Sequence, residues 1–272
     1  MIELSPAQIS DLIDLAAVCS QLQTEIVIIG AVAYGAFIDD VDRHTGDVDV
    51  AVALDLDDFA KMQTLLKERG WKQREHREHR WFGAHGGIVD IMPAGPGIRL
   101  QQHVIWPDSQ MRMSVVGFDH VFSKAEELEV RPGLRMKVIP VPVLTLLKIV
   151  SYLDRPAERE QDIRDIGELL KRYEAEADER RFSDEIIERQ VAYDSAGAFL
   201  LGMDLGSICS ATEQTVVEAF VNQLGDETSR AYAFLKRSRM GLFAEEEDAR
   251  EKELKSQIVS FLQGFRHGLA QR

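Results

Sequence analysis

The stretch GAVAYGAFIDDVDRHTGDVDV, at residues 30–50, decides how this sequence folds. An apolar run comes before it and stops at Gly30, which is typical of a buried strand, and the small and apolar residues that follow predict a helix. The stretch ends in an Asp-Val-Asp triplet on a segment, residues 46–54, that predicts a second strand. Because strand side chains alternate between faces, we expect Asp47 and Asp49 to be neighbours on one face.

Two carboxylates side by side repel each other, so this pair predicts a compensating cation. Hard oxygen ligands suit Mg²⁺ (or Mn²⁺), and a third acid, Asp90, recurs in the strand-like GIVDIMP run and is a candidate ligand of the same metals. The three candidate metal ligands are therefore Asp47, Asp49 and Asp90. The alternative is that Asp47 and Asp49 end a strand and pair with Arg43 or with backbone amides.

Outward from this stretch, the apolar pattern changes character near residue 142. Residues 1–142 mix strands with helices and residues 143–272 are almost only helical, so the sequence predicts an α+β fold. In the first part, helices are predicted at 7–22 with Ser5 as the N-cap, from Gly30 to Phe37, and at 55–70; strands are predicted at 24–30, 46–54, 113–121 and 134–140, with a hairpin at 80–94. In the second part, helices are predicted at 143–153, 160–175, 183–203, 211–223, 227–239 and 245–269.

The net charge of −14 argues against broad, non-specific binding of nucleic acid. Residues 67–80 run against this trend with six Lys or Arg against three Glu, and we interpret them as a solvated helix end and edge strand, or as a surface for a polyanionic substrate. No apolar run approaches the roughly 20 residues of a membrane span, and the first residues carry acids, so we expect a cytoplasmic protein without a membrane partner. Cys19 and Cys209 are expected to be buried free thiols.

The order of these motifs resembles the nucleotidyltransferase superfamily related to DNA polymerase beta, in which a glycine turn precedes an Asp-x-Asp strand and a single strand carboxylate. Within it, RHTGDVDV at Arg43–Val50 resembles the AbiEii/AbiGii toxin-type nucleotidyltransferases. The later signature of that family is similar to a stretch of this chain that contains Lys148, Arg155, Asp162 and Asp165.

The resemblance implies a nucleotidyltransferase-type mixed sheet with flanking helices in residues 1–142, followed by a helical domain. It further implies transfer of NMP from an NTP to an acceptor hydroxyl with release of pyrophosphate. The catalytic residues that it implies are Asp47, Asp49, Asp90, Lys148, Asp162 and Asp165, and the nucleotide-binding residues are Gly30, Ala31, Thr45 and Lys148. The sequence departs from the family pattern at Ala31, where relatives have Gly or Ser, and at Gln161, where many have a basic residue.

Other interpretations of these residues stay open at the level of sequence. Lys148 lies in an apolar helix, where a buried ammonium needs an anion such as a triphosphate or a carboxylate, unless the side chain extends to solvent. Asp162 and Asp165, three apart on a helix, share one face that Arg155 or other arginines could pair in solvent. A non-catalytic nucleotide-binding protein is the alternative function. The acceptor implied is unknown, tRNA and protein being candidates, and an antitoxin is a candidate partner.

Overall fold

The computed structural model divides into two compact units, Met1–Pro140 and Val141–Arg272. The first unit is built on a mixed sheet with flanking helices and the second is built from helices, which confirms the predicted α+β class. Among the residues described, no helix is long and apolar enough to cross a membrane. The structure describes residues 4–38, 45–174, 179–238 and 244–272.

Nine strands lie in the described part of the first unit, seven of them in one sheet of order β3-β4-β5-β2-β1-β9-β8 and two in a separate hairpin. The strands are β1 (Ile26–Ile29), β2 (Val48–Val52), β3 (Lys72–Arg74), β4 (Arg77–Phe82), β5 (Ile88–Pro93), β6 (His103–Ile105), β7 (Arg112–Ser114), β8 (Glu126–Arg131) and β9 (Leu134–Val138). The central β2 pairs antiparallel with β1 and parallel with β5. Central strands are covered on both faces, which explains why β1, β2 and β5 read as apolar runs.

The helices of this unit are α1 (Pro6–Gln21), α2 (Gly30–Phe37), α3 (Leu56–Glu68), α4 (Pro96–Gln101) and α5 (Phe118–Lys124). Helix α1 begins as the sequence predicts: Ser5 caps it through the backbone N–H of Gln8, whose side chain accepts from the N–H of Ser5 at 2.8 Å. The strand predicted at 113–121 is wrong beyond Ser114, because Gly117 adopts φ +87° and turns the chain into α5.

The predicted hairpin at 80–94 is confirmed as β4 and β5, joined by a glycine-rich loop. The buried carboxylate of Asp11, on α1, accepts hydrogen bonds from the backbone N–H of His85 at 2.9 Å and of Gly87 at 2.7 Å. A Cβ atom on Gly83 or Gly87 would collide with this carboxylate. The loop is therefore closed around an internal anion, and its register fixes which residues of β4 and β5 face each other.

The second unit contains α6 (Val141–Asp154), α7 (Glu160–Arg172), a 3-10 turn (Glu179–Phe182), α8 (Asp184–Glu188), α9 (Tyr193–Ile208), α10 (Ala211–Gly225), α11 (Arg230–Ser238) and α12 (Ala244–Ala270). The single helix predicted at 183–203 is wrong, because the chain breaks between α8 and α9, where Gln190 has a left-handed φ of +52°.

Helices α9 and α12 approach so closely that glycines are required on both. A Cβ atom on Gly202 or Gly206 of α9 would overlap a carbonyl oxygen of α12, and one on Gly264 or Gly268 would overlap a carbonyl oxygen of α9. The backbones therefore touch without intervening side chains. This reciprocal contact accounts for four glycines in otherwise regular helices, where glycine is unfavourable on its own.

Candidate active site

Three charged side chains lie in a row across the sheet of the first unit. Asp49 of β2 is in register with Asp90 of the parallel β5, and Asp90 is in register with Arg80 of the antiparallel β4. Residues in register on neighbouring strands share a face, so the two carboxylates and the guanidinium are adjacent. Asp90 is 9% exposed, within a strand whose other residues are apolar.

The guanidinium of Arg80 is the centre of the acid cluster, which we define as Asp47, Asp49 and Asp90. Its Nε donates to Oδ1 of Asp90 and its Nη2 to Oδ2 of Asp90, both at 2.7 Å, which is the two-pronged geometry that arginine forms with carboxylates. Nη2 also donates to Oδ2 of Asp47. The pKa of Arg80 is raised by its hydrogen bond to Asp90 and by the charges of the three acids, so it stays a permanent cation.

Asp47 occupies a bend just before β2, so the strand begins two residues later than the predicted start at residue 46. That Asp47 and Asp49 are neighbours on one face stays a prediction. The hydroxyl of Thr45 donates to the backbone oxygen of Asp47 at 2.7 Å and to its Oδ1 at 3.2 Å. Thr45 thus orients Asp47 towards Arg80. Arg43, the alternative partner of the acids, lies outside the described residues.

Asp49 packs against the turn that links β1 to α2. Gly30 adopts φ +67°, and a Cβ atom at this position would overlap the carboxylate of Asp49. The next residue, Ala31, offers no hydroxyl, and within the described residues no side chain caps the start of α2. The first N–H groups of an α-helix have no partner inside the helix, and this helix end carries a partial positive charge beside Asp49.

The cluster offers the oxygen donors that Mg²⁺ prefers, on three side chains that lie around one cation. In the described parts of the chain, however, no three carboxylate, imidazole or thiol side chains are arranged to hold a metal ion. The Arg80 guanidinium instead donates to both Asp47 and Asp90. The chemistry of the residues fits a divalent metal, and the conformation is one in which an internal cation balances the acids.

Lys148, Asp162 and Asp165 lie in the second unit and form a buried network there. Nζ of Lys148, on α6, donates to Oδ1 of Asp162 at 3.0 Å and to Oδ2 of Asp165 at 2.5 Å, both on α7. Lys148 is 6% exposed and Asp165 is 2% exposed. The expected anion facing Lys148 is therefore a pair of carboxylates, and neither extension of Lys148 to solvent nor a solvated acidic face is observed.

Gln161, where relatives carry a basic residue, donates from Nε2 to Oδ1 of Asp165 at 3.0 Å. Oδ2 of Asp162 is buried without a hydrogen-bond partner among the described residues. Lys148 of α6 and Gln161 of α7 thus hold the two acids of this network through hydrogen bonds within the second unit.

A family comparison covers nearly the whole chain. The sequence profile described as "Nucleotidyl transferase AbiEii toxin, Type IV TA system" matches residues 13–268, which include both the acid cluster and the Lys148 network. The chain belongs to the AbiEii nucleotidyltransferase family. Its fold is that of a nucleotidyltransferase, and the predicted resemblance is confirmed. No curated protein matches the sequence significantly.

Several solved structures are similar to this AbiEii-family chain at low identity. An antigenic nucleotidyltransferase-like protein from Paracoccidioides brasiliensis has a TM-score of 0.42 and 16% identity, over 86% of this chain and 94% of that one. The antibiotic-resistance factor ANT(2'')-Ia has a TM-score of 0.41 and 11% identity, over 82% of this chain and 95% of that one. The Thermotoga maritima CCA-adding enzyme complexed with tRNA has a TM-score of 0.30 and 11% identity, over 98% and 82%.

Arg80 is the site residue of this AbiEii-family chain that sequence reasoning missed. It is the last residue of the basic segment 67–80, which we interpreted as a solvated edge or a polyanion surface. The signal was nevertheless present, because a hairpin centred on the loop Gly83–Gly87 places position 80 opposite Asp90. A basic residue opposite a buried acid predicts an ion pair rather than a solvated side chain.

Proposed function

We propose that this chain transfers a nucleoside monophosphate from an NTP to an acceptor hydroxyl, using the acid cluster as its metal-binding site. The observation that carries the proposal is the convergence of Asp47 and Asp90 on one guanidinium, with Asp49 in register with Asp90. Asp49 and Asp90 are in register on neighbouring strands of an otherwise apolar sheet and Asp47 lies just before β2, and acids grouped in this way are typical of a functional cation site. Membership of a nucleotidyltransferase family supports the same reaction class.

Asp47, Asp49 and Asp90 would hold Mg²⁺ or Mn²⁺ together with the phosphates of the NTP. When bound, such an ion supplies charge neutralisation for the triphosphate and lowers the pKa of a coordinated hydroxyl. Asp90 is our candidate for receiving the proton of the acceptor hydroxyl. Thr45 keeps Asp47 oriented for its role, as its two hydrogen bonds to that residue suggest.

The start of α2 is our candidate site for the NTP phosphates. Gly30 and Ala31 begin the helix, and their backbone N–H groups would donate to phosphate oxygens in place of the missing side-chain cap. Gly30 is suited to this place because its lack of a Cβ atom leaves room for Asp49 beside it. Ala31 can contribute only its backbone, which predicts weaker binding of NTP than a Ser at that position would give.

Lys148, Asp162 and Asp165 complete the proposal as residues that the family resemblance implies. Their hydrogen-bonded network, in which the Lys148 ammonium faces two carboxylates, supports a role for Lys148 as an anion-binding residue. For the acceptor we propose RNA or protein, and for the biological role a toxin with an antitoxin partner. Membership of a family described as the toxin of a type IV toxin–antitoxin system supports this role.

The test is label transfer from each α-labelled NTP, with Mg²⁺ or Mn²⁺, to RNA and protein of a cell lysate. We expect a labelled acceptor with the parent chain and a loss of about 100-fold or more with Asp49→Asn, because this change removes a charged metal ligand at constant shape. Asp57→Asn, on the exposed face of α3, is the matched control and is expected to keep full transfer. Unchanged transfer by Asp49→Asn would contradict the assignment of Asp49 as a metal ligand.

The alternative of a nucleotide-binding protein without turnover is favoured by two observations. Ala31 lacks the hydroxyl that a Ser at this position would offer, and the guanidinium of Arg80 balances the charges of Asp47 and Asp90. Isothermal titration separates the two functions: tight NTP binding together with no transfer to any acceptor class supports binding alone. Transfer that needs a divalent metal and Asp49 supports catalysis.

A further inference from the structure

The carboxylate oxygens of Asp47 and Asp90 already accept hydrogen bonds. Both oxygens of Asp90 accept from Arg80, and the two oxygens of Asp47 accept from Arg80 and Thr45. A divalent metal needs oxygens of the same carboxylates. Metal and guanidinium are therefore rival cations for one set of ligands.

The charges explain why these acids need a cation between them. Three carboxylates within one cluster repel one another, and Asp90 is nearly buried. Arg80 itself is enclosed, with 19% of its side chain exposed. Removing a buried partner leaves an uncompensated charge, which is among the most destabilising changes in a protein. Arg80 thus holds Asp47 and Asp90 together.

The contacts of Arg80 with the two acids are unequal. Asp90 accepts two parallel N–H···O hydrogen bonds from Arg80, and 13% of its side chain is exposed. Asp47 is contacted by a single nitrogen, and 31% of its side chain is exposed. Two-pronged pairs are stronger and more rigid than single contacts, and solvent weakens the more exposed pair. The contact with Asp47 is the one that breaks more easily.

We propose that Arg80 is a positioning residue of the metal site: it holds Asp47 and Asp90 in place in the metal-free protein, and a divalent ion binds by displacing the guanidinium from Asp47 while Arg80 remains on Asp90. The proposal rests on the proposed function, since it needs the acid cluster to be the metal site. Its consequence is that the protein binds metal weakly until the phosphates of an NTP add ligands and negative charge.

The proposal is tested by titrating the full chain with Mn²⁺ alone, followed by calorimetry or by electron paramagnetic resonance of the free ion. Arg80→Gln keeps hydrogen-bond donors and removes the charge. We expect Arg80→Gln to bind Mn²⁺ about tenfold more tightly than the parent chain, because the positive charge of the guanidinium no longer repels the metal ion. Arg77→Gln is the matched control: it removes the same charge from the same strand, at an exposed position.

A second readout is thermal unfolding. Arg80→Gln is expected to lower the Tm of the metal-free chain and to show a larger rise of Tm on adding Mn²⁺ than the parent chain, because tighter binding stabilises more. A residue with only a structural role would lower the Tm without tightening the metal. If Arg80→Gln does not fold, Arg80→Lys keeps the charge but loses the two-pronged grip, and a smaller gain in Mn²⁺ affinity is expected.

Equal or weaker Mn²⁺ binding by the folded Arg80 variant would overturn the proposal, and so would an Arg77→Gln variant that gains as much affinity as Arg80→Gln. If neither the parent chain nor any variant binds Mn²⁺, both the proposed metal site and this proposal are wrong. Tighter binding by Arg80→Gln, abolished by adding Asp49→Asn, supports the proposal even if no NTP is turned over. In that case the proposed transfer fails and the role of Arg80 stands, so the two failures are distinguishable.

Discussion

The carboxylate of Asp49 lies over the Cα atom of Gly30 and fills the space that a side chain at position 30 would take. Gly30 begins α2 directly after β1, and Ile29, the last residue of β1, is in register with Asp49 of β2. Glycine at position 30 is therefore required for two reasons, its left-handed φ of +67° and the acid beside it. This relationship joins the phosphate-binding candidate to the metal-binding candidate.

The change Gly30→Ala is expected to disturb both. A non-glycine residue in the left-handed region costs about 1–2 kcal/mol, and the displaced Asp49 adds a further loss of Mn²⁺ binding and of NMP transfer. The measurements are the free energy of unfolding and Mn²⁺ titration. Gly133→Ala is the control, since Gly133 has φ +81° and open space around it. This variant therefore has the backbone strain of a left-handed alanine without displacing a neighbouring side chain. Equal Mn²⁺ affinity in both variants would contradict the role of this contact.

The change Lys148→Met is expected to destabilise the chain by about 3 kcal/mol or more, because it leaves two buried carboxylates without their cation. The double variant with Asp165→Asn should recover part of the loss, since it removes the uncompensated charge. Urea unfolding of the single and double variants measures this coupling. Lys171→Met, at an exposed position of α7, is the control and should stay within about 0.5 kcal/mol of the parent. Additive losses would show that the network does not act as one unit.

The change Gly264→Ala tests the close contact of α9 with α12. Its methyl group would overlap the carbonyl oxygen of Phe199, so the helices must separate, and overpacking of this kind costs about 1–3 kcal/mol. Gly225→Ala, at the end of α10 with nothing nearby, is expected to be neutral or slightly stabilising. Thermal and urea unfolding measure both. If the two variants lose equal stability, helix separation is not the cause.

The thiols predict a loss of stability in alkali. Burial raises the pKa of Cys19 to about 12 and, with a smaller contribution from Glu213, that of Cys209 to about 12, from the ordinary thiol value of 9.0. The folded state thus keeps protons that the unfolded state loses above pH 9.0, so this contribution is complete below pH 9.0 and is lost as pH rises towards 12.

The measurement is the free energy of unfolding across this alkaline window for the parent and for a Cys19→Ala, Cys209→Ala variant. The variant is expected to have a shallower alkaline decline, because the titrating groups are absent. Both thiols, confirmed as buried and free, should also resist alkylation near pH 8 until the chain unfolds. Rapid labelling of the folded chain would contradict the burial of these groups.

The sequence by itself determined the fold class and the shared face of Asp162 and Asp165, and it predicted Asp47, Asp49 and Asp90 as candidate metal ligands. These features depend on local rules: apolar periodicity distinguishes strand from helix, and a lone acid inside an apolar strand stands out without any knowledge of its neighbours. For the same reason the sequence went wrong where one glycine or one left-handed residue, Gly117 or Gln190, redirects the chain.

Only the tertiary structure decided which cation meets the acids. Asp47 and Arg80 are 33 residues apart, and their contact depends on the register of β4 with β5 and on the loop that closes around Asp11. The need for Gly30 beside Asp49, and for Gly264 beside Phe199, likewise exists only once distant backbones are packed together. Pairing of side chains across strands and helices is set by packing of the whole unit, and local sequence patterns carry little of that information.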